Sequence, residues 1–343
     1  MSYAKSEIYL AHSYFHFLEK ILGESNLVGF RHNDFFNMYY HKSIWNKIEY
    51  KIFPSFIESK ISNQLLNLCV KEKPAVLLIF KGMEIQPNIL KKIKEQGVFL
   101  INYNLDHPFE FFSRGSGNNN VLNSLSIYDL HITYSSQIEN EILQRFPSFK
   151  TAVLPFGYNE NNGNKLSPIE EFEEVNSVCF VGNPDENRVN LIKKIASNNI
   201  EIHVYGHNWE TYFSEVGEYL KVFPPIYKDD YIKTLQKYRI QLNIFRPHNK
   251  FSHNMRSFEV PAVGGIMLAP LTPEHVGFFE QGKEVFYYTN MDSLINQIKK
   301  ILTLKKDQVY SIRMNAVSRS VQSNYSYSER ANQLLDILIK NYE

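Results

Sequence analysis

The chain has 343 residues, 43% of them apolar, with 37 Lys and Arg against 36 Asp and Glu for a net charge of +1. That length exceeds what one core usually holds, so two domains are expected, and the composition excludes a disordered chain. Near-neutral charge excludes a general electrostatic pull toward nucleic acid or an anionic membrane, leaving only local basic patches for either.

Taken in chain order, the N-terminus lacks the apolar region of a signal peptide, and no run of 18 apolar residues is present to span a membrane. Residues 7–10 are expected to begin the sheet of the first domain, and 35–68 is aromatic and mostly helical. Residues 75–80 (AVLLIF) read as a buried strand. Ile89, Leu90 and Ile93 then recur at helical spacing over 86–96, and Gly97 ends that helix. Strands follow at 98–105 (VFLINYNL), 130–135 (LHITYS) and 151–155 (TAVLP), with a polar helix running to Phe146. Residues 113–120 (SRGSGNNN) read as a mobile loop, a lid over a substrate.

A polar, turn-prone break follows, Asn159-Glu160-Asn161-Asn162-Gly163-Asn164, with an acidic stretch after it. It predicts an N-terminal domain over 1–157, a linker over 158–174 and a C-terminal domain over 175–343, whose last helix returns to the first domain. The second domain restarts the pattern. Strands are expected at 177–182, 201–205, 240–245, 266–269 and 284–288, with helices near 186–197 and 229–237 and others to the C-terminus. Strand–helix alternation of this kind implies parallel sheets with right-handed crossovers. Cys69 and Cys179 lie far apart in apolar surroundings without metal-ligand spacing, so buried thiols in a reducing, cytoplasmic setting are expected.

Five stretches carry chemistry, and ligands of open parallel sheets bind at the carboxyl ends of the strands, where these fall. In His253-Asn254-Met255-Arg256-Ser257-Phe258-Glu259, Arg256 and Glu259 lie three apart on one face of a short helix. A guanidinium there meets phosphate oxygens and a carboxylate accepts from ribose hydroxyls; an ordinary surface ion pair gives the same pattern. Gly182 and Asn183 end a strand ahead of Arg188, which suits a phosphate or a plain turn. Tyr205-Gly206-His207-Asn208-Trp209 either flanks a nucleobase or turns around a core tryptophan. Asp106, in Asn104-Leu105-Asp106-His107-Pro108, is either a general base or a turn cap. Lys81, in Phe80-Lys81-Gly82, either contacts a substrate anion or is a solvated strand-end lysine.

The G-x-x-x-x-G-K-[ST], G-x-G-x-x-G and G-x-S-x-G patterns are absent, which removes a phosphate loop, a dinucleotide fingerprint and a hydrolase nucleophile elbow. The 11 histidines show no H-E-x-x-H or paired carboxylate–His spacing and there is no Asp-x-Asp, so no metal and no cofactor are expected. The basic runs 91–94 and 299–306 read as solvated helix faces.

Together these stretches resemble a GT-B glycosyltransferase of the CgeB-like branch, related to the group-1 glycosyltransferases. Arg256, Glu259, Ala262 and Gly264 match its R-x-x-E-x-x-A-x-G core; Val178 to Gly182, Arg188, Val204-Tyr205-Gly206 and Trp209 follow its strand–Gly–helix–strand order. Tyr327-Ser328-Glu329-Arg330-Ala331 resembles its last helix. The likeness covers roughly 70–340 and is looser in the first domain. It implies an α/β GT-B fold of two Rossmann-like domains facing a central cleft. It further implies a nucleotide-diphosphate-sugar donor, with a UDP-sugar expected, held by Gly182, Asn183, Arg188, Tyr205, Gly206, Asn254, Arg256 and Glu259. Glu259 would bind the ribose and Arg256 and Arg188 the diphosphate. The acceptor hydroxyl, of a surface polysaccharide, a protein or a small metabolite, would meet Lys81 and His107.

The pattern departs at Phe251, eight residues before Glu259, where many retaining members carry an acid. A more distant likeness to inverting phage DNA β-glucosyltransferases implies Asp106 as the base, with Arg188 and Arg256 in place of metal at the leaving diphosphate. The expected function is metal-independent sugar transfer, without nucleic acid and with at most peripheral membrane contact. A non-catalytic sugar-nucleotide or glycan-binding module, a DNA base glucosyltransferase and a sugar-nucleotide epimerase are the alternatives.

Overall fold

The computed structural model describes residues 3–110, 117–160, 173–213, 217–246 and 251–342. The chain divides into two compact units: Met1–Pro155 with Arg330–Glu343, and Phe156–Glu329. The expected linker is described only at 158–160 and 173–174; the rest of it, and residues 113–116 of the expected loop, lie outside the described residues.

In the first unit four helices precede the sheet: α1 (Tyr3–Leu22), α2 (His32–Tyr40), α3 (Ile44–Ile52) and α4 (Pro54–Glu72). The expected strand at 7–10 is therefore part of a helix. Leu10, Tyr14 and Leu18, four residues apart, are all buried. That helical period overrides the short apolar run that reads locally as a strand.

The sheet then alternates strictly: β1 (Val76–Phe80), α5 (Pro87–Lys94), β2 (Phe99–Asn104), α6 (Asn119–Ser124), β3 (Leu130–Thr133), α7 (Ser136–Arg145) and β4 (Thr151–Val153). The four strands lie in sequence order and all pair in parallel. Parallel pairing sets every strand's carboxyl end on one edge. With Phe80 opposite Tyr103, the turns after β1 and β2 become neighbours.

The second unit contains β5 (Val175–Val181), α8 (Glu186–Ala196), β6 (Ile202–Tyr205), β7 (Leu220–Phe223), α9 (Lys228–Lys237), β8 (Tyr238–Leu242) and α10 (Arg256–Ala262), followed by β9 (Met267–Pro270), α11 (Pro273–Phe278), β10 (Phe286–Tyr288), α12 (Met291–Leu302) and α13 (Lys306–Gln322). The helix α14 (Tyr327–Tyr342) starts here and from Arg330 onward counts with the first unit. The sheet order is β10-β9-β8-β5-β6-β7, all parallel. β7 has no counterpart in the sequence reading: it is four residues long and sits at the edge, with Leu220 buried and Lys221 exposed.

The core of this unit forms where Val178, Phe180, Ile202, Val204, Ile240 and Leu268 meet Ile192, Ile195, Leu294 and Ile298 from the helices. Fully buried Arg313 staples it. Its guanidinium pairs with Glu174 at 2.6 Å and donates to the carbonyls of Gly264 at 2.7 Å and Tyr238 at 2.7 Å. One side chain thereby ties the start of β5 to the residues just after α10. Cys69 and Cys179 are buried free thiols.

Candidate active site

The strand order of the second unit reverses between β5 and β8, where β6 and β7 continue to one side and β9 and β10 to the other. Ligands of open parallel sheets settle at such a point, outside the strands' carboxyl ends. Most of the expected donor residues converge there.

Gly182 follows β5, and its amide donates to the Tyr205 carbonyl at 2.7 Å. The Gly182 carbonyl accepts from the indole of Trp209 at 2.8 Å. A side chain at Gly206 would run into that same carbonyl group, with its carbon 2.8 Å away and Trp209 Nε1 2.9 Å away. A methyl at Gly182 would lie 3.2 Å from the Arg256 guanidinium. Gly206 is thus required by close approach to backbone rather than as a generic turn, while a side chain at Gly182 would crowd Phe180 and Arg256. The amide of His207 donates to Asn183 Oδ1 at 3.0 Å, joining the two turns.

Arg188, on α8, is buried. It donates to the carbonyl of Asn183 at 2.9 Å and of Ile244 at 3.2 Å, bridging the chain just beyond β5 and just beyond β8. The first-turn amides of α8 are capped by Asp185, which accepts from the Arg188 amide at 3.0 Å. Burial, then the nearby guanidinium of Arg256, push Arg188 down to about 9 against the pull of Asp185; Arg246 adds to the push. Arg188 stays charged at neutral pH and lies in the field of two further guanidiniums, those of Arg256 and Arg246. The Arg256 Nε is buried without a hydrogen-bond partner among the described residues. Its guanidinium carbon sits 5.7 Å from the centre of the Phe180 ring.

Glu259 lies one turn along α10. Tyr231, on α9, donates its hydroxyl to Glu259 Oε2 at 2.8 Å. Burial raises the carboxyl above its ordinary range, opposed by Tyr231 and Arg256. Among the described residues the hydrogen bond to the carboxylate, from Tyr231, falls on a single oxygen, and Glu259 keeps partial exposure.

Asn254 acts as the cap of α10: its Oδ1 accepts from the Ser257 amide at 3.2 Å. Its amide pairs face to face with that of Asn243, at 2.7 and 3.1 Å. Ser257 Oγ lies 2.8 Å from His275 Nε2, and His275 Nδ1 lies 2.8 Å from the Pro270 carbonyl. A carbonyl only accepts, so Nδ1 carries the proton and Nε2 accepts from Ser257. Burial depresses His275 to about 4, keeping the ring neutral. The chain Asn243–Asn254–Ser257–His275, buried but for half-buried Asn254, locks the start of α10, and with it Arg256 and Glu259.

Tyr205 packs its ring on Phe223 with centroids 4.7 Å apart, and its hydroxyl meets that of Tyr238 at 2.6 Å. The structure thus engages the Tyr205 side chain within its own sheet. Phe251, eight residues before Glu259, is 59% exposed and supplies no carboxylate.

In the first unit the turns after β1 and β2 bring Lys81 and Asp106 together as an ion pair. Lys81 is buried, not a solvated strand-end lysine. It occupies the centre of a three-residue γ-turn, with φ +63° and the Gly82 amide donating to the Phe80 carbonyl at 2.8 Å. A non-glycine residue there is strained, and such strain gathers at functional sites. The Asn102 amide supports the turn by donating to the Lys81 carbonyl at 3.1 Å. The amide of Asp106 donates to Asn104 Oδ1 at 3.1 Å, so the side chain accepting in this turn is that of Asn104, not the Asp106 cap that the sequence suggests. His107 is buried; its Nδ1 accepts from the Phe109 amide at 3.3 Å, which leaves Nε2 protonated toward Glu141 at 3.1 Å.

The sequence reading missed Tyr231, Asn243, Ser257 as a link, and His275. Ser257 and Asn254 sit within a motif already singled out. Tyr231 and His275 have no local signal, since their importance comes from what the fold sets beside them.

Residues 188–336 match the family model described as glycosyl transferase-like. No curated protein sequence matches the chain. Among solved structures, sucrose-phosphate synthase from Thermosynechococcus elongatus is similar at 13% identity, covering 83% of this chain and 78% of that one, with a TM-score of 0.61. HepE from Anabaena, in complex with UDP-glucose, is similar at 15% identity over 82% of each chain, with a TM-score of 0.61. A glycosyltransferase from Rickettsia africae is similar at 12% identity, over 84% of this chain and 82% of that one, with a TM-score of 0.60. The fold is accordingly α/β GT-B, built of two Rossmann-like units.

Proposed function

We propose that this chain is a glycosyltransferase that moves a sugar from a nucleotide-diphosphate sugar to an acceptor hydroxyl of a glycan, a protein or a small metabolite. The observation that carries the reading is the guanidinium cluster at the strand-order reversal of the second unit. Arg256 and Arg246 both act on Arg188 there, and among the described residues the buried Arg256 Nε has no hydrogen-bond partner. A cluster of cations in one crevice is neutralised by a diphosphate, and charge-assisted hydrogen bonds from guanidinium to phosphate are among the strongest in proteins. Glu259, three residues on, is the ribose partner in this reading. The family model matching 188–336 spans these residues, and the complex of HepE with UDP-glucose supports a UDP-sugar as donor.

As the bond to the anomeric carbon breaks, negative charge grows on the leaving diphosphate. Preorganised guanidiniums stabilise that charge without reorganisation, which is how the reaction would proceed without a metal. Asp106 is the residue assigned to remove the acceptor proton, with Lys81 holding the carboxylate in place and His107 lining the acceptor side. The finer placement in the CgeB-like branch rests on the motif resemblance, and that in the cytoplasm on the buried free thiols Cys69 and Cys179. Among the described residues no helix is long and apolar enough to cross a membrane.

The test is a thermal-shift and calorimetric screen of UDP-, GDP- and ADP-sugars on wild type, Glu259→Ala and Arg256→Gln. One nucleotide sugar is expected to stabilise wild type and to lose most of its effect in both variants. Equal shifts in all three proteins would remove the donor assignment. Tight donor binding without nucleotide release, across an acceptor panel and in slow hydrolysis, would leave a binding module instead.

A further inference from the structure

We propose that α3 and the residues beside it form a docking patch for an anionic phospholipid surface. A helix on a globular protein normally turns its apolar stripe inward. In α3 the arrangement is inverted. Ile44, Trp45, Ile48 and Ile52 cluster on one face and are 71%, 75%, 42% and 59% exposed. None of its residues is fully buried. The side turned to the protein carries Asn46, Glu49 and Tyr50, all half-buried, with the Tyr50 ring edge-on to Phe36 at 5.1 Å and Tyr40 at 5.8 Å. The helix is preformed, capped by Ser43, whose Oγ accepts from the Asn46 amide at 3.1 Å. Phe53, directly after it, is 63% exposed and extends the apolar face.

Charge selects the occupant. Lys42, Lys47 and Lys51 are exposed beside the apolar face, whereas Glu49, the one acidic residue from 41 to 57, is turned toward the protein. An outward face of isoleucine and tryptophan rimmed by lysines matches a helix lying in the interface plane, with side chains in the acyl boundary and ammonium groups among anionic headgroups. A second copy of the same face would set lysines against lysines. The patch concentrates local positive charge in a chain whose net charge is only +1.

The chain provides its own probe, because of its two tryptophans Trp209 is fully buried and Trp45 is not. Full-length protein is sedimented with vesicles of equimolar phosphatidylcholine and phosphatidylglycerol, and with pure phosphatidylcholine vesicles. Binding to the anionic vesicles, a blue shift of tryptophan emission and a steep loss of binding with salt are expected. Trp45→Ser with Ile48→Ser should abolish sedimentation. Lys42→Glu with Lys47→Glu and Lys51→Glu should weaken it by at least about 100-fold, at about fivefold for each lysine lost. Unchanged melting temperatures would establish that these exposed substitutions leave the fold intact. The proposal is overturned if wild type ignores anionic vesicles. It is equally overturned if the patch instead drives a lipid-free dimer that the Trp45→Ser variant dissolves, or if binding is insensitive to the lysines.

Discussion

The hydroxyl of Tyr231 donates to Oε2 of Glu259 at 2.8 Å, across 28 residues of sequence and two helices. It orients a carboxylate that burial would otherwise push toward its neutral form. Removing only this hydroxyl, in Tyr231→Phe, leaves the carboxylate without its orienting partner. Hydrogen bonds to charged groups contribute about 1.5–3 kcal/mol, so donor affinity is expected to fall tenfold or more. Steady-state kinetics should show a raised KM for the donor with kcat little changed, the pattern of lost ground-state binding. A selective fall in kcat would assign Tyr231 to the transition state instead.

Glu259 itself should trade stability for binding. Its carboxyl is raised in the folded state, so between its unfolded and folded values the native chain holds more protons than the unfolded chain. Stability from this group therefore falls as pH rises through that window, and the ionised form detracts from stability at neutral pH. Glu259→Gln is expected to melt at or above the wild-type temperature at neutral pH. The difference should shrink toward about pH 4, near the ordinary glutamate value. The same variant should lose nucleotide-sugar binding. Thermal melts across pH, with and without donor, check both halves, and a variant less stable than wild type at neutral pH would contradict the linkage.

Gly206→Ala should damage the fold rather than only the site. The added methyl would press on the Gly182 carbonyl and on Trp209 Nε1, both part of the turn-to-turn contact between β5 and β6. Overpacking of this sort costs on the order of 3 kcal/mol, which urea denaturation would resolve. A neutral result would mean that the two turns separate readily and that the contact is not a constraint.

Asp106→Asn should lose both activity and stability. Turnover is expected to fall at least about 100-fold if the carboxylate acts as base. The buried Lys81 ammonium also loses its counter-ion, which destabilises by about 3 kcal/mol when a buried pair is broken. Pairing it with Lys81→Met in a double-mutant cycle separates the effects: stability should recover substantially in the double variant while turnover stays low. Full recovery of turnover would remove Asp106 from the chemistry.

Much of this protein can be read locally. The strands at 75–80, 98–105 and 177–182 lie within a few residues of β1, β2 and β5, because buried parallel strands are nearly continuous apolar runs between turn residues. The failure at 7–10 has the same origin: a short apolar run is ambiguous between helix and strand, and only the buried Leu10–Tyr14–Leu18 period resolves it. β7, an edge strand with an exposed lysine, carries too little apolar pattern to be seen. At the candidate site, Arg256, Glu259, Gly182 and Gly206 were visible because each lies at a strand end or within a compact motif. Lys81 was ambiguous because burial of a lysine depends on its neighbours and not on its own sequence context.

By itself the sequence determined the alternation of strands and helices, the parallel character of the sheets and the inventory of charged and glycine residues at the strand ends. Hydrophobic periodicity and turn chemistry are local, and they act over a few residues. Tertiary structure alone decided that β8 returns beside β5, which brings Arg188 to the Ile244 carbonyl, 56 residues away in the chain. It likewise decided that Tyr231 meets Glu259, that Lys81 meets Asp106, and that α3 turns its isoleucines and Trp45 outward. These depend on strand order, register and helix packing, which arise from the summed burial of the whole core and leave no mark on any single stretch of the chain.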